Sequence, residues 1–554
     1  MGGNIQTLWG KMWDMHHKTK DQLLFFATGN PTNERPKAMK VDNGTKKPNK
    51  KSQRTRMQNI GLLLGPLLFF IILFTLSPEG MSKEALAVLA STVWIATWWI
   101  TEAIPIPATA LLPIILFPFT GAVEEGITNS YGDSTIFLFL GGFVIALAME
   151  KWNLHRRIAL NIILVVGTST QRLVLGFMVA TGFLSMWISN TATAMMMMPI
   201  AMAVILHVND TVGVENPNDT PFGKAIMLGV AYSASIGGLG TLIGTPPNTI
   251  FAGVVKELYG VDLSFARWML FGVPLSVFML IFTWVYLVKV AFPINIKELP
   301  GGREVIQTEK AQLGKMSFEE KLVLTVFAIT AFAWISRSFL VDLLAKTTTV
   351  LDQYPGIGNI DDTVIAIAAA VTLFVLPSRQ SKAGKLLRWE DAKNIPWGIL
   401  LLFGGGLAIA KGFKDSGLAE WIGEQLMVLQ NINFILLIAI VATLVLFLTE
   451  VTSNTATATM MFPIMASLAF ALDVHPYALM IAAGIAASCA FMLPVATPPN
   501  AIVFGSGHLR INDMVKTGFW INIVAIFVIT LAVYFLMPLV WGMDLNVFPD
   551  ALKK

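Results

Sequence analysis

Two short polar motifs interrupt long apolar stretches of this chain, and their residue types define the chemistry open to it. Ser189-Asn190-Thr191 and Ser453-Asn454-Thr455 each lie between two apolar runs of about 15 residues, shorter than the roughly 20 that span a bilayer. That spacing predicts two re-entrant helical hairpins, each with a polar tip. Non-helical backbone at such a tip is tolerated only inside protein or beside a water-filled cavity. A helix starting after each Asn-Thr would aim its free N–H groups and positive dipole end at that cavity. This is an anion site made without a basic side chain. Farther along, Gly244-Thr245-Pro246-Pro247-Asn248 and Ala496-Thr497-Pro498-Pro499-Asn500 carry paired prolines, which break a helix and free the carbonyls of Gly244 and Ala496. Carbonyl, amide and hydroxyl oxygens together suit a hard, weakly polarising cation. Sodium fits, with one site in each half. Ser, Asn and Thr also serve simply to hold membrane helices together. Two copies of the motif, each paired with a proline-broken helix, favour a site.

The elements that position these motifs must be helices in lipid. Of 554 residues, 55% are hydrophobic and 13% charged, against about 25% charged in soluble chains. A mean hydropathy of +0.66 over the whole length excludes a soluble enzyme and a disordered regulator. The single cysteine, Cys489, excludes an intramolecular disulfide framework or a multi-cysteine zinc site. Uncharged or nearly uncharged runs near 60–76, 85–100, 107–119, 134–149, 265–291, 321–340, 362–377, 396–412, 431–448 and 516–540 read as spanning helices, since lipid satisfies no backbone hydrogen bonds. Four further apolar regions, 171–206, 224–257, 452–472 and 476–504, are broken by polar residues, Gly and Pro. The predicted class is an all-α polytopic membrane protein with about 11 transmembrane helices and two re-entrant hairpins.

Charge sets the orientation. Residues 1–58 hold 12 Lys/Arg against 4 Asp/Glu and read as a basic cytoplasmic arm that meets anionic headgroups. Nucleic-acid binding is not indicated, because no folded context surrounds the run. The loops with Lys151, Arg156 and Arg157, with Lys297, Arg303, Lys310 and Lys315, and with Arg379, Lys382, Lys385, Arg388 and Lys393 are expected inside. An odd number of spans then puts the C-terminus outside.

The chain also repeats itself. Residues 189–204 and 453–468 are identical at ten of sixteen positions at an offset of 264, and GTPPN matches ATPPN at an offset of 252. With the 150–157 and 377–394 loops both inside, equivalent spans run in opposite directions, so the duplication is an inverted-topology repeat. Substrate and ion sites in such folds lie near the midplane, where broken helices of the two halves meet.

The paired SNTATA motifs, the paired TPPN segments and WWITEAIPIPATALLPIILFPFTG at 98–121 resemble the divalent anion:sodium symporters, the INDY or SLC13-type carriers of dicarboxylates and citrate. The likeness runs from about 58 to 545. It implies a homodimer of elevator type, with scaffold elements at 59–157 and 294–414, transport elements at 158–293 and 415–543, and a tail at 544–554. By motif match, one sodium site would use Ser185, Ser189, Asn190 and the Gly244 carbonyl. The other would use Thr449, Asn454 and the Thr452 and Ala496 carbonyls. Substrate carboxylates would lie between Ser189-Asn190-Thr191 and Ser453-Asn454-Thr455, with Thr245-Pro246 and Thr497-Pro498 completing the site. None of these positions is Lys, His or Arg, which would replace a cation.

The expectation is therefore a sodium-coupled symporter of di- or tricarboxylates such as succinate, malate, fumarate or citrate, in a plasma or bacterial inner membrane. The alternative is a sodium-independent dicarboxylate exchanger of the same fold. No cofactor and no enzymatic chemistry are expected, since no nucleophile–base or metal-ligand set is present. Glu450 adjoins the second motif but faces Met186 in the repeat, so it stands outside the symmetric site; a coupling role and a structural hydrogen bond both remain open. Lys411 and Lys414 lie where a span ends and can snorkel to water.

Overall fold

The computed structural model describes residues 54–553 apart from 124, 168, 213–218, 295–301, 348–358, 382 and 431. The arm expected over 1–58 therefore lies outside the described residues up to residue 53. Among the described residues the chain is helical throughout, with a single isolated β-bridge between Pro377 and Lys385. Seven helical segments among them are long and apolar enough to cross a membrane.

The first block comprises α1 (Arg56–Thr75), α2 (Lys83–Thr101), a helical turn at Ile106–Thr109, α3 (Leu112–Thr120) and α4 (Ser134–Lys151). Caps start these helices at defined residues: Thr55 and Gln58 form a reciprocal capping box on α1, and Asp133 accepts from the Thr135 N–H at 2.8 Å on α4. Each cap satisfies backbone donors that have no partner inside the helix. On α1 the side chains of Leu63 and Phe74 are about three-quarters exposed, a surface suited to lipid rather than water.

Two series of elements then follow the same order. The first runs α5 (Leu154–Val166), α6 (Thr170–Ser185), α7 (Asn190–Val212), α8 (Pro221–Gly238), α9 (Pro246–Tyr259) and α10 (Phe265–Tyr286). After α11 (Gly302–Gln312), α12 (Phe318–Thr347), α13 (Asp362–Val375) and α14 (Trp397–Asp415), the second runs α15 (Leu418–Leu426), α16 (Phe434–Thr449), α17 (Asn454–Ala471), α18 (Pro476–Ser488), α19 (Pro498–Phe504) and α20 (Ile511–Leu531). The chain continues through a π-helical turn into α21 (Met537–Trp541). The correspondence extends to single dihedrals. Asn153 before α5 and Gly417 before α15, 264 positions apart, are both left-handed, at φ 56° and 76°.

Packing repeats as well. Helix α8 packs on α6 as α18 packs on α16, while α9 crosses to α17 and α19 crosses to α7. Each proline-started helix thus rests on the helix that follows the SNT motif of the other repeat. Every residue of α18, and all of α8 except Pro221 and Lys224, is buried, as expected for helices apolar on every side. These two helices are the centre of the molecule.

The structure adds what the search for apolar runs passed over. Helices α5, α11 and α15 are short and carry polar faces, and α5 is tied down by ion pairs from Arg156 to Glu309 and, at 2.8 Å, from Arg157 to Glu320. Lys411 and Lys414 both have partners: Lys411 pairs with Asp415 at 2.8 Å, and Lys414 Nζ donates to the Leu258 carbonyl at 2.9 Å.

Close backbone approach of α6 and α8 depends on one glycine. A Cβ on Gly237 would stand 2.2 Å from the Gly182 carbonyl oxygen, a contact that side-chain rotation cannot relieve. We expect Gly237→Ala to force the two helices apart at a cost of about 1–3 kcal/mol or more. Thermal unfolding of the purified variant should show a melting temperature lowered by several degrees; an unchanged value would contradict the packing.

Candidate functional site

The first SNT motif sits where α6 stops at Ser185 and α7 begins at Asn190. The Ser189 Oγ accepts from the Ala192 N–H at 3.2 Å, closing the first turn of α7. One end of the Asn190 amide lies against three oxygens: the Ser185 Oγ at 2.5 Å, the Ala234 carbonyl at 3.1 Å and the Gly244 carbonyl at 3.2 Å. Ser185 is fully buried and its Oγ also lies 2.6 Å from the Ala234 carbonyl. A hydroxyl carries one hydrogen, so it donates to one of its two neighbours only. With the amide NH₂ inward, Asn190 itself donates to this oxygen cluster. With the amide oxygen inward, four oxygens converge, an arrangement that repels itself unless a cation sits among them.

The second motif is built the same way. The Thr449 Oγ1, at the end of α16, lies 2.8 Å from the Asn454 Oδ1 and 2.9 Å from the Ala487 carbonyl at the end of α18. Ser185 and Thr449 are equivalent, as are Asn190 and Asn454, at the offset of 264. Hydroxyl, amide and the last carbonyls of a broken helix therefore meet in both halves.

The remaining expected residues are distributed around these clusters. Ser189, Asn190, Thr191, Ser453, Asn454 and Thr455 are all half-buried, although the helices behind them are buried; both tips therefore have an open side. Thr245 and Thr497 are buried N-caps of α9 and α19, and Thr497 Oγ1 accepts from the Asn500 N–H at 3.3 Å. Pro246 is half-buried and Pro498 exposed, with Ala496 buried two residues earlier. The Thr452 hydroxyl bonds to the Leu448 carbonyl at 2.8 Å and to the Thr457 Oγ1 at 2.6 Å, across the motif from one helix to the next.

The carbonyl ends of α8 and α18 carry more partners than the motifs alone would suggest. In the first repeat the Trp268 Nε1 donates to the Leu239 carbonyl at 3.0 Å, and the Thr241 Oγ1 donates to the Met186 carbonyl at 2.5 Å. In the second, Glu450 Oε1 accepts from the N–H groups of Phe491 and Met492 at 2.9 and 3.0 Å and from Asn522 Nδ2 at 2.6 Å. Its Oε2 accepts from the Leu493 N–H at 3.1 Å. Glu450 is thus bonded into the loop after α18, at the place where the first repeat has Met186. Two glycines on the following helices make room for these loops: a Cβ on Gly272 would meet the Leu239 carbonyl at 2.4 Å, and one on Gly518 would meet the Phe491 carbonyl at 2.2 Å. Leu239 and Phe491 are themselves equivalent at the offset of 252.

The segments 185–193, 238–249, 449–457 and 489–500 contain no Lys, Arg or His. Positive potential at the clusters comes from helix N-termini at Asn190, Pro246, Asn454 and Pro498. Backbone N–H groups of this kind are suited to an anion, and backbone and side-chain oxygens to a hard cation. Within these segments the Glu450 carboxylate is taken up by three backbone N–H groups and the Asn522 amide, and Cys489 is fully buried.

Comparison with known proteins agrees with the helical membrane architecture. The chain matches the family described as sodium:sulfate symporter transmembrane region over residues 56–542. It is 50% identical over 493 residues to the sodium-dependent dicarboxylate transporter SdcS of Staphylococcus saprophyticus, covering 88% of this chain and 93% of that one. Against the protein of the same description from Staphylococcus aureus strain RF122 it is 50% identical over 505 residues, covering 90% and 95%. Among solved structures, Neisseria gonorrhoeae MtrF, described within a class of antimetabolite efflux pumps, superposes with a TM-score of 0.52 at 11% identity, covering 88% of this chain and 96% of that one; this shows a shared fold. The chain belongs to the sodium:sulfate symporter family, the divalent anion:sodium symporters that its motifs resemble, and is a membrane transporter rather than an enzyme.

Proposed function

We propose that this protein is a sodium-coupled symporter of di- and tricarboxylates that works by an elevator mechanism. The observation that carries the reading is the pair of equivalent clusters: Ser185–Asn190 with the Ala234 and Gly244 carbonyls, and Thr449–Asn454 with the Ala487 carbonyl. Both lack any basic side chain in their segments. A dianion moved into a low-dielectric site costs many kcal/mol unless its charge is compensated. Two sodium ions, one at each cluster, together with the N-termini of α7 and α17, supply that compensation. The Thr452 and Ala496 carbonyls complete the second cation site. Cations bind first, and an empty cation site disfavours the dianion. The substrate lies between the two SNT tips, with Thr245-Pro246 and Thr497-Pro498 on its other sides. The two relatives described as sodium-dependent dicarboxylate transporters support carboxylates over sulfate as cargo.

The moving unit is 158–293 with 415–543, and the scaffold is 59–157 with 294–414, in a homodimer whose N-terminus is cytoplasmic and C-terminus outside. The connection from α9 to α10 is pinned to scaffold helices from three directions. Lys256 Nζ donates to Ser134 Oγ at 2.8 Å, Lys414 Nζ donates to the Leu258 carbonyl at 2.9 Å, and Asp362 Oδ2 accepts from the Phe265 N–H at 3.0 Å. The equivalent connection from α19 to α20 forms its ion pair within the moving unit, from Arg510 to Asp219 at 2.7 Å. This asymmetry fits a conformer closed at its outer face. At about 0.5–1.5 kcal/mol per hydrogen bond, the three contacts together are large enough to bias the equilibrium by about one to three orders of magnitude.

Three measurements follow. Labelled succinate should enter proteoliposomes when Na⁺ is supplied outside and should not when K⁺ replaces it; uptake in K⁺ into vesicles preloaded with dicarboxylate would instead identify an exchanger. Asn190→Ala and Asn454→Ala should each abolish sodium-driven uptake while the protein still inserts and purifies, and wild-type sodium dependence in either variant would contradict the sites. Lys414→Met combined with Asp362→Ala, which remove the donor and the acceptor, should change the maximum uptake rate severalfold and raise hydrogen exchange in 256–265, with KM for succinate within about twofold. A change confined to KM would remove the outer-closure role.

A further inference from the structure

From the two broken helices we infer that Asn248 and Asn500, the last residues of the TPPN segments, are positioning residues for the cation sites: each side-chain amide holds the loop that presents the Gly244 or Ala496 carbonyl. The inference rests on the sodium-coupled reading above and assigns a part to residues that reading does not use.

The geometry is the same in both halves. Asn248 Nδ2 donates to the Gly238 carbonyl at 3.2 Å and to the Thr241 carbonyl at 2.8 Å, ten and seven residues upstream. Asn500 Nδ2 donates to the Ala490 and Leu493 carbonyls, both at 3.1 Å and again ten and seven residues upstream. Both asparagines are fully buried, at 1% and 0% exposure. In both, the Oδ1 is buried without a hydrogen-bond partner. A buried acceptor without a partner is unfavourable, and it recurs at the equivalent position. What the residue contributes is therefore its two N–H donors.

Those donors reach the residue of the proposed ligand through one shared acceptor. The Thr241 carbonyl held by Asn248 also accepts the N–H of Gly244 at 3.4 Å, and the Leu493 carbonyl held by Asn500 also accepts the N–H of Ala496 at 3.2 Å. The residue that offers each proposed ligand carbonyl is thus hung, by its own N–H, from the oxygen that the asparagine fixes. In the first repeat the loop closes on itself so tightly that a Cβ on Gly238 would meet the Gly244 oxygen and the Asn190 Oδ1, each at 2.9 Å. Other supports of the two loops differ, Trp268 serving one and Glu450 the other. The asparagine clamp is common to both, as is the oxygen cluster beside it.

The test uses the full-length protein in proteoliposomes, with Asn248→Leu and Asn500→Leu, which keep the branched shape and remove the donors, and Asn248→Ala and Asn500→Ala, which remove them without adding bulk, as second variants. Each single variant should raise the Na⁺ concentration for half-maximal succinate uptake about tenfold or more. At saturating Na⁺ the KM for succinate should stay within about twofold of wild type. Na⁺-dependent thermal stabilisation of the solubilised variants, which needs no transport, should weaken in parallel. Variants with lower uptake or stability but an unchanged Na⁺ half-saturation would overturn the inference and leave the asparagines structural. Wild-type uptake indifferent to Na⁺ would overturn the symport reading itself, and with it the clamp's part in cation binding.

Discussion

A helix broken inside a membrane frees backbone donors and acceptors that lipid cannot solvate. The rest of this structure depends on how those groups are satisfied. At the end of α8 the carbonyls of Ala234, Gly238, Leu239 and Thr241 are taken up by Ser185, Asn248 and Trp268. At the end of α18 the carbonyls of Ala487, Ala490 and Leu493 are taken up by Thr449 and Asn500, and the N–H groups of 491 to 493 by Glu450. A polar lattice of this kind is stable only when nearly complete. It also concentrates oxygen atoms beside Asn190 and Asn454, which is the environment a hard cation requires.

The two repeats reach the same end by different means, and the difference falls outside the clusters. Hydroxyl and amide are matched, Ser185 with Thr449 and Asn190 with Asn454. The loop supports are not: one side uses an indole and the other a carboxylate bonded to three backbone N–H groups and an amide. A side chain so thoroughly hydrogen-bonded is held in one position, which accounts for an acidic residue in so apolar a setting. Symmetry is therefore tightest where the proposed ions bind and looser in the scaffolding behind them.

Much of this was legible in the residues themselves. The SNT motifs announce a helix start, and the structure begins those helices at Asn190 and Asn454; the paired prolines, read as a helix break, prove to open the next helix, at Pro246 and Pro498. Apolar runs locate the long helices because lipid leaves no other secondary structure open. The short helices α5, α11 and α15 escaped that search, since their signal is a polar face at helical spacing, as in Leu154-His155-Arg156-Arg157-Ile158. Asn248 and Asn500 were in plain view within a recognised motif, but a side chain that bonds backward to carbonyls seven and ten residues away cannot be read from local spacing. Lys414 likewise finds its partner, the Leu258 carbonyl, 156 residues away.

On the proposed mechanism the dianion site exists only once sodium has filled the two oxygen clusters. Equilibrium binding of succinate to the purified protein, measured across Na⁺ concentrations with choline as replacement, tests this without transport. Affinity in choline should be negligible, and the binding constant should rise with about the second power of Na⁺ concentration in the low range, as linkage between two cation sites and one substrate site requires. Succinate affinity equal in choline and Na⁺ would contradict it.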